Sequence, residues 1–242
     1  MGTTERHVLP DAEQLAHYAA EFVTATLEAT TGSATVALSG GSTPKRLYEL
    51  LAAPPFRDRM PWDRVHWYWG DERFVPQDDA QSNYHMTKLA MLDQVPIPAA
   101  NIHAVPVSGM EPEQAAAAYE AALQHCYGSA ALDPDRPLFD IVLLGLGEDG
   151  HTASLFPGTD ALAERRRWVT AVIGAKPEPR ISLTYPALDS ARHCVFLVAG
   201  AAKLPVLERL QAGEDLPAGH VRPVGTLHWM LDRAAAGEYG DA

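Results

Sequence analysis

Apolar residues recur at helical spacing near the start of the chain, at Leu15, Ala19, Phe22, Val23 and Leu27. Asp11 precedes them with Gln14 three positions on, a capping-box variant that predicts where this helix begins. A short β-type run follows at 34–38, then Ser39-Gly40-Gly41-Ser42-Thr43-Pro44 and a helical stretch ending near Leu51. A second strand is predicted at 65–69, closed by Gly70-Asp71-Glu72-Arg73. Helical patterns return at 83–92 and, rich in alanine, at 111–127. Residues 139–144 form a continuous apolar run, the signature of a strand covered on both faces. Further strands are predicted at 168–173 and 195–198, and helices at 202–210 and 226–233. Strands alternating with helices at this spacing predict an α/β fold, a mostly parallel sheet with helices on both faces. Prolines at 54–55, 96–98 and 177–179 punctuate loops without marking a domain boundary, so residues 1–242 are expected to form a single domain.

Composition narrows the partners. Hydrophobic residues make up 47% of the chain, enough for a sizeable core and too many for a disordered segment. The net charge is −12, so the overall field repels nucleic acid and anionic membranes, and neither is an expected partner. Any phosphate must be met by a local set of Arg, Lys and backbone N–H groups. No apolar stretch approaches the ~20 residues of a membrane span, and the N-terminus lacks a signal-peptide layout; a soluble, cytoplasmic protein is expected. Cys126 and Cys194 are read as ordinary buried or half-buried thiols, too few for a disulfide framework. CxxC and HExxH are absent and no close His/Cys cluster is visible along the chain, so no metal site is expected.

Three polar motifs each follow a predicted strand, where ligands bind in open α/β sheets. In the 39–44 motif, Gly40 and Gly41 allow backbone N–H groups to crowd an anion. Ser42 and Thr43 add hydroxyls, and Pro44 suits the first turn of a helix whose N-terminus favours negative charge. The pattern is not a Walker A loop. In the second motif, Asp71 can face a ligand and Arg73 can hold a phosphate or carboxylate as a fork, unless the two merely pair in a solvated turn. The third, Gly145-Leu146-Gly147-Glu148-Asp149-Gly150-His151, fits the spacing of a dinucleotide fingerprint. Glu148 and Asp149 would face the pyrophosphate, however, and Glu164 opens the basic run Arg165–Arg167 instead of closing a second strand. A tight loop presenting Asp149 and a general-base His151 is the better reading. Arg165–Arg167 is expected to be a solvated face, whereas Lys176 and Arg180 flank a proline loop that can close on an anion.

Taken together, the blocks 36–44, 69–76, 82–84, 144–157, 176–184 and 200–203 resemble the glucosamine-6-phosphate isomerase/6-phosphogluconolactonase family, in its order and over nearly the whole chain. The long block through His151 to Pro157 is similar to the lactonase branch; the Ser-Gly-Gly-Ser loop is shared with the deaminases. Trp67 and Trp69 are bulkier than that pattern, and Glu178 interrupts its proline run. The resemblance implies a Rossmann-like three-layer fold of the deaminase/isomerase type. It also implies hydrolysis of 6-phospho-D-glucono-1,5-lactone to 6-phosphogluconate in the oxidative pentose phosphate pathway, without metal or organic cofactor.

On this reading His151 activates water and later returns the proton, and no Gly-x-Ser-x-Gly elbow favours a serine acyl-enzyme. By resemblance, Asp149 and Asp71 orient this base and the sugar, and Arg73 counters charge near the reacting end. Gly40, Gly41, Ser42 and Thr43 take the phosphate, with Arg180 and Lys203 as cationic partners. The rivals are a glucosamine-6-phosphate deaminase or related isomerase, and a non-catalytic sugar-phosphate sensor. The sensor would need a DNA-binding segment or a partner surface for which the chain has no spare length, and no obligate protein partner is inferred.

Overall fold

The computed structural model describes residues 2–237. Along them run β1 (Thr3–Leu9), α1 (Ala12–Ala29), β2 (Ala34–Leu38), α2 (Ser42–Leu51), α3 (Phe56–Arg59), β3 (Val65–Trp69) and β4 (Asp71–Arg73). There follow α4 (Asn83–Ala90), α5 (Pro112–Tyr127), β5 (Phe139–Leu144), β6 (Val169–Val172), β7 (Arg180–Leu183) and α6 (Tyr185–Asp189). The chain closes with β8 (Ala191–Val198), α7 (Leu204–Gln211), β9 (Thr226–Asp232) and α8 (Arg233–Ala236).

Six strands form a sheet in the order β1-β9-β8-β5-β2-β3, each neighbouring pair parallel. Strand β5 lies inside it and buries every residue but Asp140, which is why its sequence reads as an unbroken apolar run. Helix α1 starts where Asp11 accepts a hydrogen bond from the Gln14 backbone N–H at 2.8 Å. It buries Leu15, Ala19, Val23 and Leu27, and packs on α2 and β9. Helix α5 carries a full capping box between Glu111 and Gln114 and ends at Gly128, whose φ of 78° is left-handed.

Strand order reverses between β2 and β5. From β2 the chain moves outward to β3 on one side, whereas β5, β8 and β9 build the other. The crevice beyond the carboxyl ends of β2 and β5 is therefore the binding position of this fold. The 39–43 and 145–151 loops leave the sheet there.

The structure departs from the sequence reading at three places and adds an element the sequence did not announce. Residues 226–233, expected to be helical, are mostly strand β9. Their short apolar run suits either state, and hydrogen bonding to β1 and β8 on both sides decides it. The polar segment Thr3–Leu9 adds an edge strand along β9. The Asp71–Arg73 segment is not a free turn but strand β4, in a second, antiparallel sheet of order β4-β7-β6. Cys126 is exposed on α5, whereas Cys194 is buried in β8 as expected. Arg165–Arg167 is solvated, also as expected.

Candidate active site

Two buried tyrosines anchor the strand ends from which the cleft rises. The Tyr48 hydroxyl accepts from the Ser39 N–H at 2.9 Å and donates to the Ser39 carbonyl at 2.8 Å. The Tyr119 hydroxyl brackets Trp69 in the same way, at 2.8 and 3.0 Å. Burial pushes both phenols above their ordinary range, so both remain protonated donors. Helix α2 then opens at Gly41, whose φ of 108° needs glycine, and no side chain caps its first N–H groups. An uncapped helix N-terminus beside glycine backbone is receptive to an anion.

Across the cleft, β4 and β7 pair with Arg73 directly opposite Arg180. Arg180 is 9% exposed. Burial and then the charge of Arg73 push its pKa down, with Asp71 and Glu178 countering; it stays far too basic to lose its proton near neutrality. The two guanidinium groups repel each other; Glu178, 3.6 Å from Arg180, offsets part of this repulsion, and an anion between them would relieve the rest. Buried Glu72 organises this wall. Its carboxylate accepts from the backbone N–H groups of Arg73, Asn83 and Tyr84 at 2.8, 2.7 and 2.7 Å, and from the Ser82 hydroxyl at 3.1 Å. It thereby ties β4 to the N-terminus of α4. Asn83 donates to the Asp71 carbonyl at 2.9 Å, and Ser154 donates to Asp71 Oδ2 at 2.6 Å.

The third wall is the 145–157 segment. His151 Nδ1 lies 2.5 Å from Asp149 Oδ1, which also accepts from the His151 N–H at 3.1 Å. Partial burial opposes ionisation of Asp149. The hydrogen bonds and charge of His151, with the charge of Lys176, outweigh it and hold this carboxyl below its ordinary range. An ionised carboxylate only accepts, so Nδ1–H donates to it, and in the neutral imidazole the lone pair then lies on Nε2, the form a general base needs. A Cβ on Gly147 would lie 2.0 Å from His151 Nδ1, so the dyad requires glycine there. Ala153 has a φ of 47°, an uncommon left-handed alanine in the cleft wall. It is held between the Thr152–Leu155 bridge and Ser154, whose N–H donates to Ser182 Oγ at 3.1 Å.

These walls enclose a cleft of about 320 Å³. Of the residues singled out from sequence, Gly40, Gly41, Asp71, Arg73, His151, Arg180 and Lys203 line it together. Asp149 stands behind His151, on the wall of an adjoining hollow of about 750 Å³ that shares Phe156 and Lys176 with the cleft. Ser42 and Thr43 open α2 but do not line the cleft. Ser39, Asn83 and Ser154 line it as well, with no role expected from sequence, and so does Lys176, expected with Arg180 to close on an anion. Asn83 and Ser154 lie within the motif blocks, and that was their only signal. Glu72 and Asp232 act from behind. Asp232 accepts from the Gly200 N–H at 3.0 Å and so fixes the turn carrying Lys203.

Four cationic side chains, Arg73, Lys176, Arg180 and Lys203, face one carboxylate, Asp71, across the cleft of a chain with net charge −12. An α/β scaffold with an anion-receptive switch point and an acid–base dyad defines an enzyme of anionic small molecules. The particular family emerges from comparison. The model of the family described as glucosamine-6-phosphate isomerases/6-phosphogluconolactonase matches residues 10–229, and the chain belongs to that family.

Curated relatives include the 6-phosphogluconolactonase of Nostoc sp. (strain PCC 7120), 46% identical over 239 residues, covering 96% of each chain. That of Synechocystis sp. (strain PCC 6803) is 48% identical over 209 residues, covering 84% of each. The crystal structure of 6-phosphogluconolactonase from Thermotoga maritima superposes with a TM-score of 0.81 at 29% identity, covering 95% of this chain and all of that one.

Proposed function

We propose that this chain, read as one domain over residues 1–242, hydrolyses 6-phospho-D-glucono-1,5-lactone to 6-phosphogluconate in the cleft, with His151 as the proton carrier. The activity follows from the family and its lactonase relatives; the observation that carries the mechanism is the Asp149–His151 dyad opposite the paired arginines. His151 Nε2 takes a proton from water as its oxygen attacks the ring carbonyl. The tetrahedral oxyanion collapses, the ring C–O bond breaks, and the departing ring oxygen takes the proton back from Nε2. Asp149 holds the imidazole in the required tautomer and steadies its charged form. Asp71, fixed by Asn83 and Ser154, orients the sugar hydroxyls.

At the far end, the N–H groups around Gly40 and Gly41 take the phosphate beside Arg180 and Lys203, with Ser42 and Thr43 contributing through the backbone N–H groups that open α2 and not through cleft-lining side chains. Arg73 is reassigned to this end because strand register sets it against Arg180. Lys176 lies 5.1 Å from the centroid of Phe156, which packs on His151, and so serves charge developing at the reacting end. Binding the remote phosphate fixes the lactone for attack. The substrate is the only partner in this reading, and its setting is cytoplasmic; free Cys126 and Cys194 suit a reducing compartment.

The direct test is titration of acid release from freshly prepared phosphogluconolactone, corrected for spontaneous hydrolysis. Catalysed acid release with no ammonia from glucosamine 6-phosphate is expected. Ammonia release at a comparable rate would move the chain to the deaminase branch.

A further inference from the structure

Far along the sheet from the cleft lining, one face carries a second set of polar side chains. Glu5 and His7 are two residues apart on the edge strand β1, so both point to the same face. Parallel register sets Glu5 beside His228 of β9 and His228 beside Val195 of β8, which brings His193 to that face as well. Helix α1 covers them: the Phe22 ring centroid lies 4.8 Å from that of His228 and 5.4 Å from that of His193.

Glu5 Oε2 lies 3.5 Å from His7 Nε2 and 3.3 Å from His228 Nδ1, and the three atoms all fall within 4.8 Å of one another. Both ring nitrogens are buried and have no hydrogen-bond partner among the described residues. His228 as a whole is 4% exposed. The opposite nitrogen of each ring is engaged: His7 Nδ1 with the Tyr18 hydroxyl at 3.1 Å, and His228 Nε2 with His193 Nδ1 at 3.1 Å. Metal-binding imidazoles show this division of labour, one nitrogen on the ion and the other fixed by a neighbour.

We propose that Glu5, His7 and His228 bind a divalent transition metal of the zinc class through Glu5 Oε2, His7 Nε2 and His228 Nδ1. Bonds of roughly 2.0–2.1 Å in a tetrahedral site set ligand atoms about 3.3 Å apart. Two of the three edges already match that spacing, and a swing of the partly exposed His7 ring closes the third. Two imidazoles with one carboxylate suit zinc, cobalt or nickel over magnesium or calcium. Half-exposed Glu5 leaves the fourth position open to water. The bound ion cross-links β1, which has one neighbouring strand, to β9. It shares no residue with the cleft, so lactone hydrolysis does not depend on it. The expectation of no metal site rested on spacing along the chain, and 223 residues separate Glu5 from His228.

The test is calorimetric titration of the chelator-stripped full chain with zinc chloride, with Co²⁺ absorption as the spectroscopic probe. One equivalent is expected to bind at micromolar Kd or tighter, with Co²⁺ bands of a four- or five-coordinate site. At a hundredfold excess over Kd, zinc should raise Tm by about 5 °C. His228→Gln risks the fold, so the deciding variants are Glu5→Gln and His7→Gln at the open edge. Each should weaken zinc binding at least tenfold, cut the Tm rise at the same zinc concentration to about half or less, and leave lactone hydrolysis unchanged. Failure of the wild type to bind zinc below about 100 µM would overturn the site. Wild-type affinity in both variants would do the same, placing the ion elsewhere, for example at Asp149–His151.

Discussion

The 39–43 and 145–151 loops look alike in sequence, and they leave the two strands that flank the switch point, paired at Val36–Ile141 and Ala37–Val142. Their chemistry is opposite. The first runs straight into α2, so its glycines lie against uncapped helical N–H groups that attract an anion. The second opens no helix. It folds on itself, with the Gly147 N–H donating to the His151 carbonyl at 2.8 Å and the Gly150 N–H to the Gly147 carbonyl at 3.0 Å. A pyrophosphate would meet no helix terminus there, only Glu148 and Asp149, which is the physical reason the dinucleotide spacing misleads. Glycine spacing thus makes room, and the segment after the glycines decides which group fills it. At both loops part of that room goes to a side chain: a Cβ on Gly40 would lie 2.0 Å from Asn83 Oδ1, and one on Gly147 2.0 Å from His151 Nδ1.

The largest expected effect breaks the second loop. His151→Asn keeps a polar side chain but removes the proton carrier, so kcat should fall about 10²–10⁴-fold with KM changing little. Thermal melting should show a folded protein. A folded variant with wild-type kcat would move the base to Asp71 or Asp149. Next comes the first loop, probed through the substrate. Gluconolactone without phosphate loses several charge-assisted bonds, and kcat/KM should drop by roughly a hundredfold or more. Equal turnover of the two lactones would remove the phosphate from the 39–43 loop.

Paired alanine substitutions sharpen the contrast. Gly147→Ala should displace the dyad and cost kcat about 10–100-fold. Gly40→Ala should push Asn83 off Asp71 and act mainly on KM, by about tenfold. Identical kinetic signatures in the two variants would erase the distinction drawn between the loops. The smallest effect is on stability. Asp149 has a depressed folded-state pKa, so its contribution is present above the ordinary carboxylate range and disappears as pH falls through the folded value. The Tm difference between wild type and Asp149→Asn should therefore shrink in acid; a constant difference from neutrality to acid would show that His151 does not hold that charge.

Much of this molecule is determined by local sequence. Buried parallel strands must be apolar throughout, which makes 34–38 and 139–144 legible, and Asp11 and Glu111 announce helix starts through their own hydrogen bonds. Positions just beyond the carboxyl ends of β2, β3 and β5 carry Gly40, Asp71, Asp149 and His151, because an open α/β sheet leaves its ligand chemistry there. Features that depend on partners distant in sequence were not legible. Thr3–Leu9 is polar and becomes a strand only along β9, and 226–232 is strand rather than helix only because β1 and β8 flank it. Arg73 meets Arg180, Ser154 meets Asp71, and Glu5 meets His228 through strand register and chain reversals. Propensity and spacing act over a few residues, whereas register between strands and the crossing of chain segments set which side chains share a face, and only the folded chain supplies those.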